Sequence, residues 1–159
     1  MSYVVRGLSP QMFASMFAMG EEELARNRAR RIIVEIDSYY PCRVSLESAR
    51  KGERLLLVHH VHHPVETPYR SAFAIFVREG MTKAAEFIDC CPPVFAARPL
   101  AFRGFSADGN LADARLESGD DADDTIRAMF LNPDISYIHA HNAAYGCFAA
   151  QIDRTDALG

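Results

Sequence analysis

The chain has 159 residues, 49% of them hydrophobic and 24% charged, so one globular domain over residues 1–159 is expected and a disordered or fibrous chain is excluded. Lys plus Arg number 17 against 21 Asp plus Glu, and a net charge of −4 lacks the positive excess of a protein that grips nucleic acid. The longest apolar run, residues 72–77, is far below the ~20 residues of a membrane helix.

Ser9 and Pro10 open an expected amphipathic helix on which Met12, Phe13, Met16 and Phe17 share a face until Gly20 ends it. A charged helix follows, with Glu21 to Glu23 ahead of Arg26, Arg28, Arg30 and Arg31, an order that suits the helix dipole. It reads as a solvated face. From Arg31 the period changes to two, placing Ile32, Val34 and Ile36 on one side of a strand. After the break at Tyr39-Tyr40-Pro41-Cys42, residues 55–63 form the next expected strand. Its opening, Leu55 to Val58, is apolar on both faces and predicts a central strand covered on both sides.

Pro64 and Pro68 mark a loop, residues 72–77 a third strand, residues 82–89 a short helix and Pro92-Pro93 a turn. Asp108-Gly109 between residues 100–105 and 111–116 predicts a hairpin with a two-residue turn. Residues 121–131 read as a helix that buries Ile126, Met129 and Phe130. A second hairpin is expected from residues 135–141 and 146–152. Strands joined mostly by hairpins predict an α+β fold, a mainly antiparallel or mixed sheet of about six to seven strands with three to four helices.

Cys42, Cys90, Cys91 and Cys147 would pair only in an oxidising compartment. The N-terminus does not read as a secretory signal, because Ser15 interrupts its short apolar stretch and Pro10-Gln11 stands at the entrance. A cytoplasmic protein with free thiols is the expectation.

Two histidine groups invite a metal reading. Residues two apart share a strand face, so His60 with His62, and His139 with His141, could each offer two imidazoles. The surrounding pattern of a cupin metal motif is missing, and structural histidines are expected instead of a metal site. Neither a P-loop nor a dinucleotide fingerprint occurs, and no cofactor is expected. Cys42 stands before Arg43, whose charge favours a thiolate, and His139 is the base that a nucleophilic thiol would use. Arg103 is the most informative polar residue. A turn at Asp108-Gly109 sets it opposite Ala114, on an otherwise apolar face with Phe105, Ala112 and Leu116. There it must reach an internal acceptor or meet an anion brought by a ligand.

Several of these segments, in this order, resemble a bacterial family catalogued as domain of unknown function 1203. They are Tyr40-Pro41-Cys42-Arg43, Gly52-Glu53 before Leu55-Leu56-Leu57, and Pro68-Tyr69 before Ile75-Phe76-Val77. Arg98, Arg103-Gly104-Phe105 with Asp108-Gly109, and His139-x-x-Asn142-x-x-x-Gly146-Cys147-Phe148 complete the set. The resemblance spans nearly the whole chain and implies no activity. Where the family pattern often has a cysteine three positions after Cys42, this chain has Ser45, so no CxxC role is implied. It singles out Cys42, Arg43, Tyr69, Arg103, His139, Asn142 and Cys147, a set suited to a small polar or anionic ligand.

The leading expectation is a binding or accessory domain for a small anionic ligand or a protein partner, with Arg43 and Arg103 as anion contacts and Tyr69, Asn142 and Cys147 beside them. The alternative is a hydrolase built on Cys42 and His139 or on a histidine-held metal. A third reading is a homodimer through sheet edges or through the Met12/Phe13/Met16/Phe17 face. No nucleic-acid or membrane partner is expected.

Overall fold

A computed structural model describes residues 1–155. Nine strands form two antiparallel sheets. The larger sheet contains β1 (Tyr3–Arg6), β5 (Glu86–Ile88), β6 (Pro99–Phe105), β7 (Leu111–Ser118), β8 (Tyr137–Asn142) and β9 (Phe148–Arg154) in the order β5-β1-β9-β8-β6-β7. The smaller contains β2 (Ala29–Ile33), β3 (Arg54–His63) and β4 (Ser71–Arg78), with β3 central. The helices are short: α1 (Ala14–Phe17), α2 (Glu21–Arg26) and α3 (Ala122–Met129), with 3-10 turns at Pro10–Met12, Pro93–Phe95 and Gly119–Asp121. Among the described residues no helix is long and apolar enough to cross a membrane.

The period-two pattern of β6, β8 and β9 gives the large sheet two unlike faces. Leu100, Phe102, Ile138, Ala140, Ala150 and Ile152 point one way and meet Ile126 and Met129 of α3 in the main core. Burying a side chain of that kind contributes ~1.5–3 kcal/mol, so this face fixes the register of all three strands. The opposite face carries Arg103, His139, His141 and Gln151 and lies beneath the C-terminal end of β3. As expected of a strand apolar on both sides, β3 feeds two clusters. Leu56 and Val58 pack with Phe13, Leu24 and Ile75, and Leu55 packs with Val34 and Ala49.

Five expectations need correction. The first helix is broken into a 3-10 turn and a single α turn, and only part of its apolar face turns inward: Phe13 is buried with Met16 and Phe17 beside it, while Met12 is exposed. The strand after α2 ends at Ile33, so Val34 is buried in a loop and Ile36 is exposed. Residues 82–89 hold no helix, because Glu86–Ile88 pairs along β1 and puts Phe87 against the main core. The segment Tyr3–Arg6, for which no strand is expected from the sequence, is the element that β5 and β9 both pair with.

The fifth concerns the hairpin. The Ser106 N–H donates to the Asn110 carbonyl and the Gly109 N–H to the Ser106 carbonyl, so Ala107, Asp108 and Gly109 turn together, with Gly109 at φ +85°. The pairs Gly104↔Asp113 and Phe105↔Leu111 leave Ala112 bulged, and this extra residue restores Arg103 opposite Ala114.

Candidate ligand-binding site

Antiparallel pairing builds a transverse row across the polar face of the large sheet: Ala114, Arg103, His139, Gln151, Arg6 and Glu86. Its members are neighbours through strand register rather than sequence. Arg6 is neutralised by Glu86 at 3.2 Å and Asp153 at 3.1 Å. The Gln151 amide donates to Asp153 Oδ1, which leaves Gln151 Oε1 to accept from His139 Nε2–H at 3.0 Å. His139 is therefore the Nε2–H tautomer, and its Nδ1 is a bare lone pair with no partner in a side chain only 1% exposed.

The end of β3 roofs this row. A register shift between Val61 and His63 lets consecutive residues His62 and His63 both turn inward, where strict alternation would send one outward. The His62 ring stacks on Phe148 at 5.1 Å and stands 5.0 Å from His141 and 6.1 Å from His139, centroid to centroid. The His63 ring packs on Phe105 at 4.2 Å. Its Nδ1–H donates to the Tyr69 carbonyl, so its Nε2 accepts from the Tyr137 hydroxyl at 2.7 Å. The His141 Nδ1–H donates to the Gly146 carbonyl. Burial holds His62, His139 and His141 neutral, their pKa values pushed down to about 3, and the neighbouring rings and the Arg103 charge add to the effect.

Packing and hydrogen bonds within the fold place each of these rings. His60 shares a strand face with His62, as expected, but its ring lies edge-on to Phe13. Among the described residues no three His, Cys, Asp or Glu side chains are placed to hold a metal ion.

Arg43 bonds to the backbone of Phe148, whose ring lies against these histidines. It is 2% exposed and donates to the Phe148 carbonyl at 2.8 Å, the Pro41 carbonyl at 2.6 Å and Cys147 Sγ at 3.0 Å. Asn142 donates to the same sulfur at 3.4 Å. Arg43, Asn142 and Cys147 are thus brought together as one buried knot, with the Phe148 backbone tied to it and the Phe148 ring under the histidines. Burial lowers the Arg43 pKa, and the sulfurs of Cys147 and Cys42 offset part of that.

Cys42 and His139 do not form a hydrogen-bonded pair. Cys42 Sγ lies in the small-sheet core and accepts from the backbone N–H groups of Val44, Ser45 and Arg78 at 3.3–3.5 Å. The Nε2–H of His139 belongs to Gln151. Tyr69, half exposed, reaches the site through an edge-on contact with Phe105 and through its carbonyl on His63. Its hydroxyl takes no part in those contacts.

Arg103 is different in kind. Eight arginines are buried or partly buried. Arg6, Arg78 and Arg127 meet carboxylates, while Arg31, Arg43 and Arg154 meet backbone carbonyls. Among the described residues Arg103 and Arg98 have no acceptor at all. Beside Arg103 the floor is low and open, formed by Ala101 and the exposed Ala114.

The sequence misses the residues that order this site: Phe148 as its hinge, Gln151 and Asp153 as the relay behind His139, and His63 as the lid on Phe105. Gln151 was within reach, since pairing the last two strands at Ile138 and Ile152 sets it opposite His139.

The sequence model of one family, described as protein of unknown function (DUF1203), matches residues 39–154, from just after β2 to the end of β9. No curated protein and no solved structure matches the chain.

Proposed function

We propose that this chain, which belongs to the DUF1203 family, is a binding protein for a small anionic ligand that docks on Arg103 at the edge of the histidine-roofed row. The observation that carries the reading is the unanswered guanidinium. A partly buried cation loses water contacts and normally recovers them from a carboxylate or carbonyl, as the six other buried or partly buried arginines outside Arg98 do. An anion with a planar or forked oxygen pair supplies what Arg103 lacks. Ala101 and Ala114 leave room for it, and Phe105 offers an apolar side wall. Arg43, expected from the sequence as a second contact, has its donors directed at Phe148, Pro41 and Cys147, so ligand contact rests on Arg103.

The test is thermal unfolding against a panel of carboxylates and phosphates, comparing wild type with Arg103→Ala. A ligand that binds only the native state raises its unfolding temperature. The expected result is at least one anion that stabilises wild type saturably and leaves Arg103→Ala unmoved. A panel in which every anion acts equally on both proteins refutes the proposal.

A further inference from the structure

Arg98, the other arginine without an acceptor, lines a separate hollow. A cleft of about 690 Å³ lies where the loop between β2 and β3 and the end of β4 meet the 3-10 turn Pro93–Phe95 and the residues after it. Its wall holds three guanidinium groups, Arg50, Arg78 and Arg98, against two carboxylates, Glu47 and Glu53. Arg78 and Glu53 cancel each other at 2.6 Å. Glu47 is exposed, as Arg50 is, so solvent screens both and the partly buried Arg98 sets the local sign. Arg50 and Arg98 are left without an acceptor among the described residues. Ser38 and Ser48 add hydroxyls that likewise make no hydrogen bond there.

We propose that this cleft holds the phosphate group of a small phosphorylated molecule, with Arg98 and Arg50 as its guanidinium contacts and Ser38 and Ser48 as hydroxyl donors. Donor counting favours phosphate over carboxylate. Two guanidinium groups and two hydroxyls offer far more N–H and O–H groups than the roughly four lone-pair sites of one carboxylate can accept. A phosphate presents three terminal oxygens and up to two charges to the same donors. The volume falls within the ~300–1,000 Å³ of small-molecule sites, well above what bare phosphate fills, so room remains for an organic body. The local field agrees. Arg98 is close enough to the buried Arg43 for their charges to repel, and an anion in the cleft relieves that repulsion. Ser38 is also held at φ +65°, a conformation disfavoured for serine, at the rim of the cleft.

Calorimetric titration with inorganic phosphate tests the site, with glycerol phosphate and malonate as parallel arms on the full chain. Phosphate is expected to bind wild type saturably, and Arg98→Gln and Arg50→Gln are each expected to weaken it about tenfold or more. Arg26→Gln, at an exposed arginine outside both sites, should bind as wild type does. Glycerol phosphate should match or exceed inorganic phosphate, and malonate should bind at least about tenfold more weakly. Absence of saturable phosphate binding to wild type overturns the proposal, as does binding that survives Arg98→Gln with Arg50→Gln, or malonate binding as tightly as phosphate. Loss in Arg103→Gln alone also overturns this site, while leaving the reading of Arg103 intact. Arg50 is exposed, so Arg50→Gln keeps the fold whatever becomes of Arg98→Gln.

Discussion

Arg43 and Arg103 look equivalent in the sequence, two arginines on segments that resemble one family, and the structure gives them opposite work. Arg43 is a buried charge with no carboxylate beside it, and its bonds to the Phe148 and Pro41 carbonyls and to Cys147 tie the segment 41–43 to the segment 147–148. Arg43→Leu should therefore leave buried acceptors unpaired. Each such group costs ~1–3 kcal/mol, so the variant should lose about 3 kcal/mol or more in urea unfolding. Arg103→Gln removes no bond and should stay within ~0.5 kcal/mol of wild type. Equal losses in the two variants would show that Arg103 has an internal partner after all, and the anion proposal would go with it. The histidines make a sharper single-atom test. Nitrogen-detected NMR near pH 7 should find His139 protonated at Nε2, and His63 and His141 at Nδ1, because Gln151, Tyr69 and Gly146 each present an oxygen that can only accept. A Nδ1–H signal for His139 contradicts the Asp153–Gln151–His139 relay.

At the scale of elements, what the sequence reveals depends on how local the cause is. The strands at Arg54–His63, Ser71–Arg78, Pro99–Phe105 and Leu111–Ser118 carry their own period, and so does α3, with Ile126 and Met129 inward. Those were legible. The three-residue strand Glu86–Ile88 has no period to read and exists because β1 runs beside it. The division into two sheets was hidden for the same reason, since alternation names a face without saying what covers it. The candidate site divides along that line. Arg103 opposite Ala114 comes from a three-residue turn offset by the bulge at Ala112, and Gln151 opposite His139 from a local hairpin, whereas the cover of His62 and His63 depends on contact between the two sheets. Long-range fit also makes some glycines irreplaceable. A Cβ on Gly7 would collide with the Val44 carbonyl, where the end of β1 passes the segment that carries Cys42 and Arg43. Backbone cannot yield as a side-chain tip can. Gly7→Ala should cost on the order of 3 kcal/mol, and Gly20→Ala, whose Cβ meets nothing within 4 Å, less than about 0.5 kcal/mol. Similar urea midpoints for the two variants would mean that these segments do not pass so closely.

The whole molecule inherits a pH limit from its histidine roof. His62, His139 and His141 are neutral in the folded chain, with pKa values near 3, whereas an unfolded chain leaves histidine near its ordinary value of ~6.5. The sign follows directly: the unfolded state binds more protons as pH falls below ~6.5, so stability is full above that value and drains away toward pH 3. Each ring contributes up to ~1.4 kcal/mol per pH unit inside that window, and three together up to ~4 kcal/mol. A domain stable by ~5–10 kcal/mol should then unfold between about pH 4 and 5.3. Asp123, hydrogen-bonded by Arg127 and Tyr3, titrates below the usual carboxylate value, so it adds its own loss of stability as pH nears the ordinary value of ~3.9. Asp89 does likewise through Ser2 and the Tyr3 backbone. The groups around the roof bear on the size of the effect. Arg103 and the neighbouring rings oppose protonation, which widens the pH range over which stability is lost. His62→Phe separates the roof from the rest. Phenylalanine keeps the stacking on Phe148 and cannot take up a proton, and the histidine nitrogen it replaces has no partner to lose. The variant should match wild type near pH 7.5, exceed it near pH 5, and lose stability with a slope smaller by about one proton in urea unfolding followed across that range. Parallel slopes for the two proteins would mean that His62 is already solvated in the folded state, and that the roof is open.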